Sequence, residues 1–355
     1  MLNVEDLKKA IEETEKELES ADNLNWKTTY KEYADKMLEY KEKKQELGEK
    51  FHEWEPLKFY LTVGNAKTGK ENLKVSVRYL GQTVAIINVD DKGVFIDTTK
   101  QNKTNERDFL CPKNIELENA EWDSKQAKEF REYFRVQRPD RVNGKKKNEE
   151  HRLESALLTE FSKKNSIDKL FCGIQPITFA GFRFPMPTAI KSSDFIKFGG
   201  GHIDILARTT GRKITVFELK DENIQNEPIG KVLEQATAYA VFLIKLLRSD
   251  SGKEWYKILG FKGEIPKILT VRVCGAMPVK KDGSYEKFES FNLPCGNDIL
   301  EYHWLYFEEE NRKIKNIESS INKNKGKNKK RYSQYRRWAA IHNKRYKDYS
   351  LYCRP

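Results

Sequence analysis

The sequence has little cysteine, no long apolar run and no internal repeat. Its five cysteines, at positions 111, 172, 274, 295 and 353, are scattered and form no Cys-x-x-Cys pair. This spacing argues against a disulfide scaffold or a zinc cluster and fits a reducing compartment. No stretch approaches the roughly 18 apolar residues that a membrane span needs, and the first residues lack a signal peptide's apolar core. We therefore expect a cytoplasmic protein with no membrane partner.

Positive charge is present in excess, and it is concentrated locally. The formal net charge is +12, and residues 323–355 contain twelve Lys or Arg and one acidic residue. A second basic run, which includes Lys145, Lys146 and Lys147, surrounds the linker at 139–148. Local excesses of this kind favour a polyanionic partner, most simply nucleic acid, although a merely soluble basic protein has the same net charge.

Hydrophobic periodicity divides the 355 residues into several units. Residues 1–54 predict a helical hairpin, with Asn3 as its N-cap, which either packs on its own domain or forms an arm or interface. Residues 55–138 predict a small antiparallel β domain of about four strands with a trailing helix. After the basic linker at 139–148, residues 149–322 alternate helices and strands. This order predicts an α/β fold with a mixed sheet flanked by helices.

One glycine-rich loop, at 64–70, contains most of a phosphate-binding Gly-x-x-x-x-Gly-Lys motif. A phosphate-binding loop needs Ser or Thr next and then a helix, whereas Glu71 and a strand pattern follow here. We interpret the loop as a hairpin turn.

A group of acidic residues in the second half lies in strand patterns. Asp204 lies within the apolar run at 201–208, which predicts a strand, and Glu218 and Lys220 alternate with Leu219 in the next one, so both point to one face. If the two strands form a hairpin, Asp204 lies beside Glu218 at one end of the sheet. Neighbouring carboxylates repel unless a cation separates them, and oxygen ligands favour Mg²⁺ or Mn²⁺. The alternative is a surface strand with an ordinary salt bridge.

In this order, the residues resemble the PD-(D/E)xK nuclease superfamily, which has the restriction-endonuclease-like fold. Glu154, on the predicted helix HRLESALL, corresponds to the family's helical acidic residue, and Asp204 to its strand aspartate. Glu218-Leu219-Lys220 corresponds to the (D/E)xK triplet. Gln235 and Tyr239 match the Gln-x-x-x-Tyr helix of several branches, including Holliday-junction resolvases. The likeness covers about 148–278, and Asp204 lacks the family's preceding proline.

The resemblance implies a Mg²⁺-dependent DNA endonuclease of restriction or defence type, in which Mn²⁺ would substitute for Mg²⁺. Asp204, Glu218 and the Leu219 backbone carbonyl would hold the metal, and Glu154 would reach it directly or through water. Lys220 would orient the attacking water. Gln235 would orient a water or a phosphate.

Several alternatives remain open. Glu150 lies one helical turn before Glu154 and is its rival as the helical acidic residue. Gln235 and Tyr239 would instead serve helix–sheet packing, and His202 is interpreted as structural. The other functions are a structure-specific repair or recombination nuclease and a non-catalytic DNA-binding protein on a nuclease fold. RNA is an alternative target, because the triad cuts a phosphodiester without reading the sugar.

The flanking units carry the expected contacts to DNA. Aromatic residues recur at steps of three and four in the tail at 323–355, which indicates a helix whose aromatic side packs on the protein. Its basic side would contact phosphate, as would the linker lysines. The candidate DNA contacts are Tyr239, Lys145, Lys146, Lys147, Arg331, Arg336, Arg337 and Lys344. The N-terminal units would serve target recognition or assembly, the latter as a homodimer.

Removal of residues 323–355 should weaken DNA binding and make it less dependent on salt, because the tail holds most of the excess positive charge. It should slow cleavage of already bound DNA much less. Equilibrium binding at several salt concentrations and single-turnover cleavage would measure the two effects. An unchanged salt dependence would contradict the assignment of the tail to phosphate.

Overall fold

The computed structural model of the chain describes residues 2–46, 54–63, 73–90, 93–98, 115–137, 149–162, 174–192, 196–209, 213–220, 227–279, 285–310 and 313–322. Three features predicted above lie outside the described residues. They are the glycine-rich loop at 64–70, the linker at 139–148 and the tail at 323–355.

Two helices form the N-terminal hairpin. They are α1, Val4–Glu19, and α2, Asn25–Glu46, joined by a 3-10 turn. Asn3 caps α1, because its side-chain oxygen accepts a hydrogen bond at 3.1 Å from the backbone N–H of the helix's second residue. The hairpin packs on the rest of the chain rather than projecting as an arm. For example, Trp255 Nε1 donates a hydrogen bond to the Tyr30 carbonyl at 2.9 Å.

The predicted four-stranded antiparallel meander is confirmed. It consists of β1, Lys58–Val63, β2, Leu73–Tyr79, β3, Gln82–Asp90, and β4, Gly93–Thr98. The segment after the glycine-rich loop is thus a strand. The short strand β5, Ala120–Glu121, extends one edge and is followed by helix α3, Lys125–Gln137.

The opposite edge of this sheet is built from later parts of the chain. Strand β8, Phe182–Arg183, runs parallel to β1, and β7, Thr178–Phe179, pairs with β8. The sheet therefore combines strands that precede and strands that follow the linker predicted at 139–148. Its hydrophobic residues also share one cluster with both N-terminal helices and with the second half of the chain. The division into separate domains stays a prediction.

The second half of the chain forms a mixed sheet with helices packed against it, which confirms the predicted α/β class. Its helices are α4, Glu149–Ser162, α5, Ile229–Leu247, and α6, Gly252–Ile258. Its strands are β6, Gln175–Pro176, β11, Ile205–Thr209, β12, Lys213–Leu219, β13, Thr270–Pro278, β14, Phe291–Cys295, β15, Asp298–Glu310, and β16, Lys313–Ser319.

Neighbouring strands follow the order β14-β15-β13-β12-β11-β6, and β16 also pairs with β15. Strands β12, β13 and β15 are parallel, whereas β11 is antiparallel to β12. Helix α5 is buried along most of its length and packs on β12, β13 and β9, the last of these being Pro187–Ser192. Among the described helices, none combines the length and the apolar content needed to cross a bilayer.

The continuous strand predicted at 201–208 is wrong. Strand β10, Ile196–His202, pairs with β9 in a separate two-stranded sheet, and β11 of the large sheet begins only at Ile205. At the break, the Ile203 N–H donates to the Met186 carbonyl at 2.9 Å, outside the ladder. Asp204 therefore lies where the chain passes from one sheet to the other. The apolar segment at 182–190 is likewise divided, into β8 and β9, at its proline-containing centre.

A tight turn in the first sheet packs against helix α4. Leu80 and Gly81, between β2 and β3, have positive φ values of 46° and 80°, as in a two-residue type I′ turn. A Cβ atom on Gly81 would lie 2.3 Å from the His151 carbonyl oxygen and 2.8 Å from the Arg152 nitrogen. The turn thus contacts the backbone of α4 directly, next to Glu154.

Gly81→Ala should lower the free energy of unfolding by about 2–4 kcal/mol, because backbone strain and a clash with α4 add together. Gly263→Ala is the matched control, since Gly263 has φ 86° but open space around its Cα. The control should lose only about 1 kcal/mol. Urea unfolding of both variants would measure the difference. Equal losses would contradict the direct contact between the turn and α4.

Candidate active site

Asp204 and Glu218 face each other at one end of the mixed sheet formed by the second half of the chain. Strands β11 and β12 pair with Ile205 opposite Phe217, so one further step of this register brings Asp204 opposite Glu218. The Asp204 Oδ2 atom accepts a hydrogen bond from the Leu219 backbone N–H at 2.8 Å. Because Asp204 lies outside a ladder, its side chain can turn toward this N–H. The two carboxylates, fourteen residues apart in the sequence, are thus held together.

Lys220 completes this end of the sheet. Its backbone N–H donates to the Ala276 carbonyl at 3.1 Å, just beyond β12. Its amine donates to Glu218 Oε1 at 3.0 Å and lies 3.8 Å from Glu150 Oε1. Glu218 is only 6% exposed, and within the described residues its Oε2 atom is buried with no hydrogen-bond partner. One oxygen of Glu218 is therefore satisfied by Lys220, and the other is left for a further ligand.

The surroundings favour protons on the carboxyls and on the amine. Burial, and then the charges of Glu218 and Glu150, hold the pKa of Asp204 well above its usual value. Burial raises the pKa of Glu218 to about 7, against the opposing effect of Lys220. Burial alone would lower the pKa of Lys220, but the nearby carboxylates outweigh it, and the pKa is raised. A cation at this point would therefore relieve an unfavourable concentration of negative charge.

The two helical acids on α4 have different neighbours. Glu150 lies near the Lys220 amine, and its charge also acts on Asp204. Glu154, 5% exposed, has its Oε2 atom 3.3 Å from His151 Nδ1. Among the described residues, its Oε1 atom is buried without a hydrogen-bond partner. Glu150 thus contacts Lys220 directly, whereas Glu154 contacts His151 and acts on Asp204 only through its charge.

Arg78 is the residue of this group that sequence reasoning missed. It extends from β2 of the first sheet, and its guanidinium lies 3.7 Å from Glu154 Oε2 and 4.0 Å from the centre of the Tyr60 ring. Its Nε–H group is buried and has no hydrogen-bond acceptor in the described part of the chain. The only signal in the sequence is that Arg78 alternates with buried Val77 and Tyr79, a pattern that ordinarily indicates a solvent-facing position.

Gln235 and Tyr239 lie on α5, one helical turn apart, and both are buried. The Tyr239 ring lies against Gly201, where an added Cβ would come within 3.1 Å of it. Burial, and then the charge of Glu218, raise the pKa of Tyr239. Burial, Arg78 and His151 together lower the pKa of His202. Packing thus accounts for the position of Tyr239, and its contact with DNA stays a prediction.

The other predicted DNA contacts lie outside the described residues. These are Lys145, Lys146, Lys147, Arg331, Arg336, Arg337 and Lys344. The roles predicted for Gln235 and for the Leu219 carbonyl also stay predictions.

The donor atoms at this site suit a hard divalent cation, although they are not arranged as a finished metal site. Within the described ranges, no three His, Cys, Asp or Glu side chains form a ready metal-binding group. The available donors are carboxylate oxygens, which Mg²⁺ and Mn²⁺ prefer. The buried Glu218 Oε2 atom, which has no partner among the described residues, fits such an ion, because a buried acceptor without a donor is costly. Asp204 and Glu218 are the residues best positioned to hold it.

The metal-free protein should lose stability as pH rises from about 4.5 to above 7. Folding raises the pKa of Glu218 from its ordinary 4.5 to about 7, so its contribution is present below 4.5 and is lost above 7. The expected loss is on the order of 3 kcal/mol. Thermal unfolding in a chelator at several pH values would measure it.

Glu218→Gln should flatten this pH dependence, because the amide cannot ionise. Glu264→Gln is the matched control, since the Glu264 side chain is 83% exposed. If the free energy of unfolding had the same pH dependence in Glu218→Gln as in the control, the raised pKa of the buried Glu218 carboxyl would be contradicted.

The chain matches no family model, no curated protein and no solved structure. The function therefore has to be inferred from the geometry and electrostatics of the site itself.

Proposed function

We propose that the protein is a Mg²⁺-dependent DNA endonuclease that hydrolyses phosphodiester bonds and acts in restriction or defence. The observation that carries this proposal is the opposition of Asp204 and Glu218 at a strand end, beside Lys220. Burial raises the pKa of both carboxyls, with further increases from Glu218 and Glu150 for Asp204 and from Glu150 for Glu218. The pair therefore gains free energy from a divalent cation. A divalent cation beside a lysine supplies the positive charge that phosphodiester hydrolysis requires.

In this proposal, Asp204, Glu218 and the Leu219 carbonyl would hold the metal, and Glu154 would reach it directly or through water. When bound, Mg²⁺, or Mn²⁺ in its place, would polarise the scissile phosphate and lower the pKa of a bound water. The Lys220 amine remains charged, because the carboxylates around it raise its pKa. It would orient the attacking water and stabilise negative charge on the phosphate.

Neighbouring residues would hold this arrangement in place. Glu150, 3.8 Å from the Lys220 amine, restricts the direction of that amine. Arg78 lies beside Glu154 and orients its carboxylate. Gln235, one turn before Tyr239, would orient a water or a phosphate from α5. These contacts would reduce the reorganisation needed when substrate binds.

The same proposal includes the restriction-endonuclease-like fold. Its support is the order of elements around the site: acidic helix α4, the antiparallel hairpin β11–β12 with Asp204 and the Glu218-Leu219-Lys220 triplet, helix α5, and the parallel strand β13. Target recognition or homodimer assembly is assigned to the N-terminal helices and first sheet. The basic tail at 323–355 is assigned to phosphate contact.

Purified protein should cut DNA when Mg²⁺ is present and leave it intact in a chelator. Lys220→Ala and Asp204→Ala should each reduce the cleavage rate by about 10²-fold or more, because each removes charge stabilisation from the transition state. DNA binding should persist in both variants. Incubation with plasmid and Mg²⁺, followed by sequencing of the ends, would measure the reaction. Lys253→Ala is the matched control, since the Lys253 side chain is 70% exposed.

Plasmid left intact with Mg²⁺ and with Mn²⁺ would contradict the proposal in this form. Cleavage of branched DNA alone would indicate a repair or recombination nuclease, and cleavage of RNA alone would change the substrate. DNA binding without cleavage or metal binding would indicate a non-catalytic protein.

A further inference from the structure

A cavity with aromatic walls lies beside the carboxylate group, and the proposed hydrolysis does not use it. Its volume is about 400 Å³, within the roughly 300–1,000 Å³ typical of ligand pockets. It lies between the beginning of α2, the end of β1 and the strands β9 and β10. The aromatic side chains in its lining are Trp26, Tyr30, Tyr33, Phe198 and His202.

The lining favours an uncharged, flat group. No Asp, Glu, Lys or Arg contributes to it among the described residues. Its other members are small, polar or apolar side chains and glycine backbone. A phosphate would need cations or a helix N-terminus directed at it. An aromatic ring would instead gain contact with Phe198 and His202, the lining aromatics that are not fully buried, and such contacts do not depend on the sequence of bases.

The walls are held in position before any ligand binds. Trp26 Nε1 donates to the Leu18 carbonyl at 3.0 Å. The Trp26 ring meets Phe242 edge to face at 5.5 Å, and Tyr30 meets Tyr33 in the same way at 5.3 Å. Rings fixed in this manner lose little conformational entropy on binding, so more of the contact energy is retained.

Glycines leave one wall open to a ligand. The ladder between β9 and β10 skips Gly199 and Gly200, because the register shifts between Phe198 and Gly201. A Cβ atom added to Gly199 or Gly200 would meet nothing within 4 Å. Any larger residue would therefore project into free space at this wall, and glycine leaves that space, with its backbone polar groups, to a bound molecule.

Two lining residues, Gly201 and His202, connect the cavity to the region of Asp204 and Glu218. His202 precedes Asp204 by two residues, so their Cα atoms are at most about 7 Å apart. Gly201, also in the lining, lies against the Tyr239 ring, and this ring is near enough to Glu218 to respond to its charge. A strand whose phosphate lay at Asp204 and Glu218 would have its neighbouring base within reach of the cavity.

We propose that this cavity binds one unstacked base of the nucleic-acid strand whose phosphodiester lies at Asp204 and Glu218. The proposal rests on the proposed function for its assignment of the substrate. The base enters between the aromatic side chains and the glycine wall, and the exposed backbone of Gly199 and Gly200 contacts its edge. Binding in the cavity thereby positions the adjacent phosphate.

The test uses the full chain in a chelator, so that no cleavage or metal binding is needed. Two labelled single strands of equal length are compared by fluorescence anisotropy, one with all its bases and one with abasic sugars at its central positions. Wild-type protein should bind the complete strand about tenfold more tightly, which is the value expected for one stacked base. Gly200→Leu, which adds a side chain at a lining residue of the cavity, should bind both strands equally.

Gly200→Ala and Gly200→Val form a graded series that should lose discrimination progressively, and Gly200→Val decides the matter if Gly200→Leu does not fold. A Gly200→Leu protein that folds and keeps the tenfold discrimination would overturn the proposal. Equal binding of both strands by wild-type protein would also overturn it, even if the protein bound free adenosine.

The outcomes separate this inference from the proposed function. Loss of discrimination in Gly200→Leu supports the base site even if the wild-type protein cuts no DNA. Normal cutting together with unchanged discrimination in Gly200→Leu removes the base site and leaves the nuclease proposal intact.

Discussion

The repulsion between the partly buried Asp204 carboxylate and the buried Glu218 carboxylate is the constraint on which the candidate site depends. Burial of like charges is unfavourable, so the surrounding chain has to compensate for it. The Leu219 N–H does so for Asp204, and the Lys220 amine does so for one oxygen of Glu218. Within the described residues, the second Glu218 oxygen has no such compensation. The chemistry proposed for the site follows from this incomplete balance.

The first sheet and the N-terminal helices take part in the structure around the site. Arg78 of β2 lies beside Glu154, and the turn at Gly81 contacts the backbone of α4. Helix α2 supplies Trp26 and Tyr30 to the cavity next to the carboxylates. Elements far apart in sequence are thus linked through two hydrophobic clusters, one that includes the N-terminal helices and most of the first sheet, and one that joins α4 to Tyr60 of the first sheet. A change in the first sheet can therefore reach the acidic residues of α4 through packed, rigid elements.

Local patterns were informative wherever an element has a regular period. The four-stranded meander and the helix that carries Gln235 and Tyr239 were predicted, because alternation and a spacing of three to four reflect the side on which a strand or helix is buried. The strand around Asp204 was predicted wrongly. Its apolar run is continuous in sequence, but its two halves belong to different sheets, which no local period can reveal.

By itself, the sequence determined the α/β class, the alternation of Glu218 and Lys220, and the order of the acidic residues along the chain. These features depend on residues close in sequence, whose geometry follows from the period of a strand or helix. Only the tertiary structure decided that Glu150 lies beside Lys220, that Arg78 reaches Glu154, and that α2, β1, β9 and β10 together line an aromatic cavity. Each of these joins segments far apart in sequence, and their approach is decided by the packing of the whole core rather than by any local pattern.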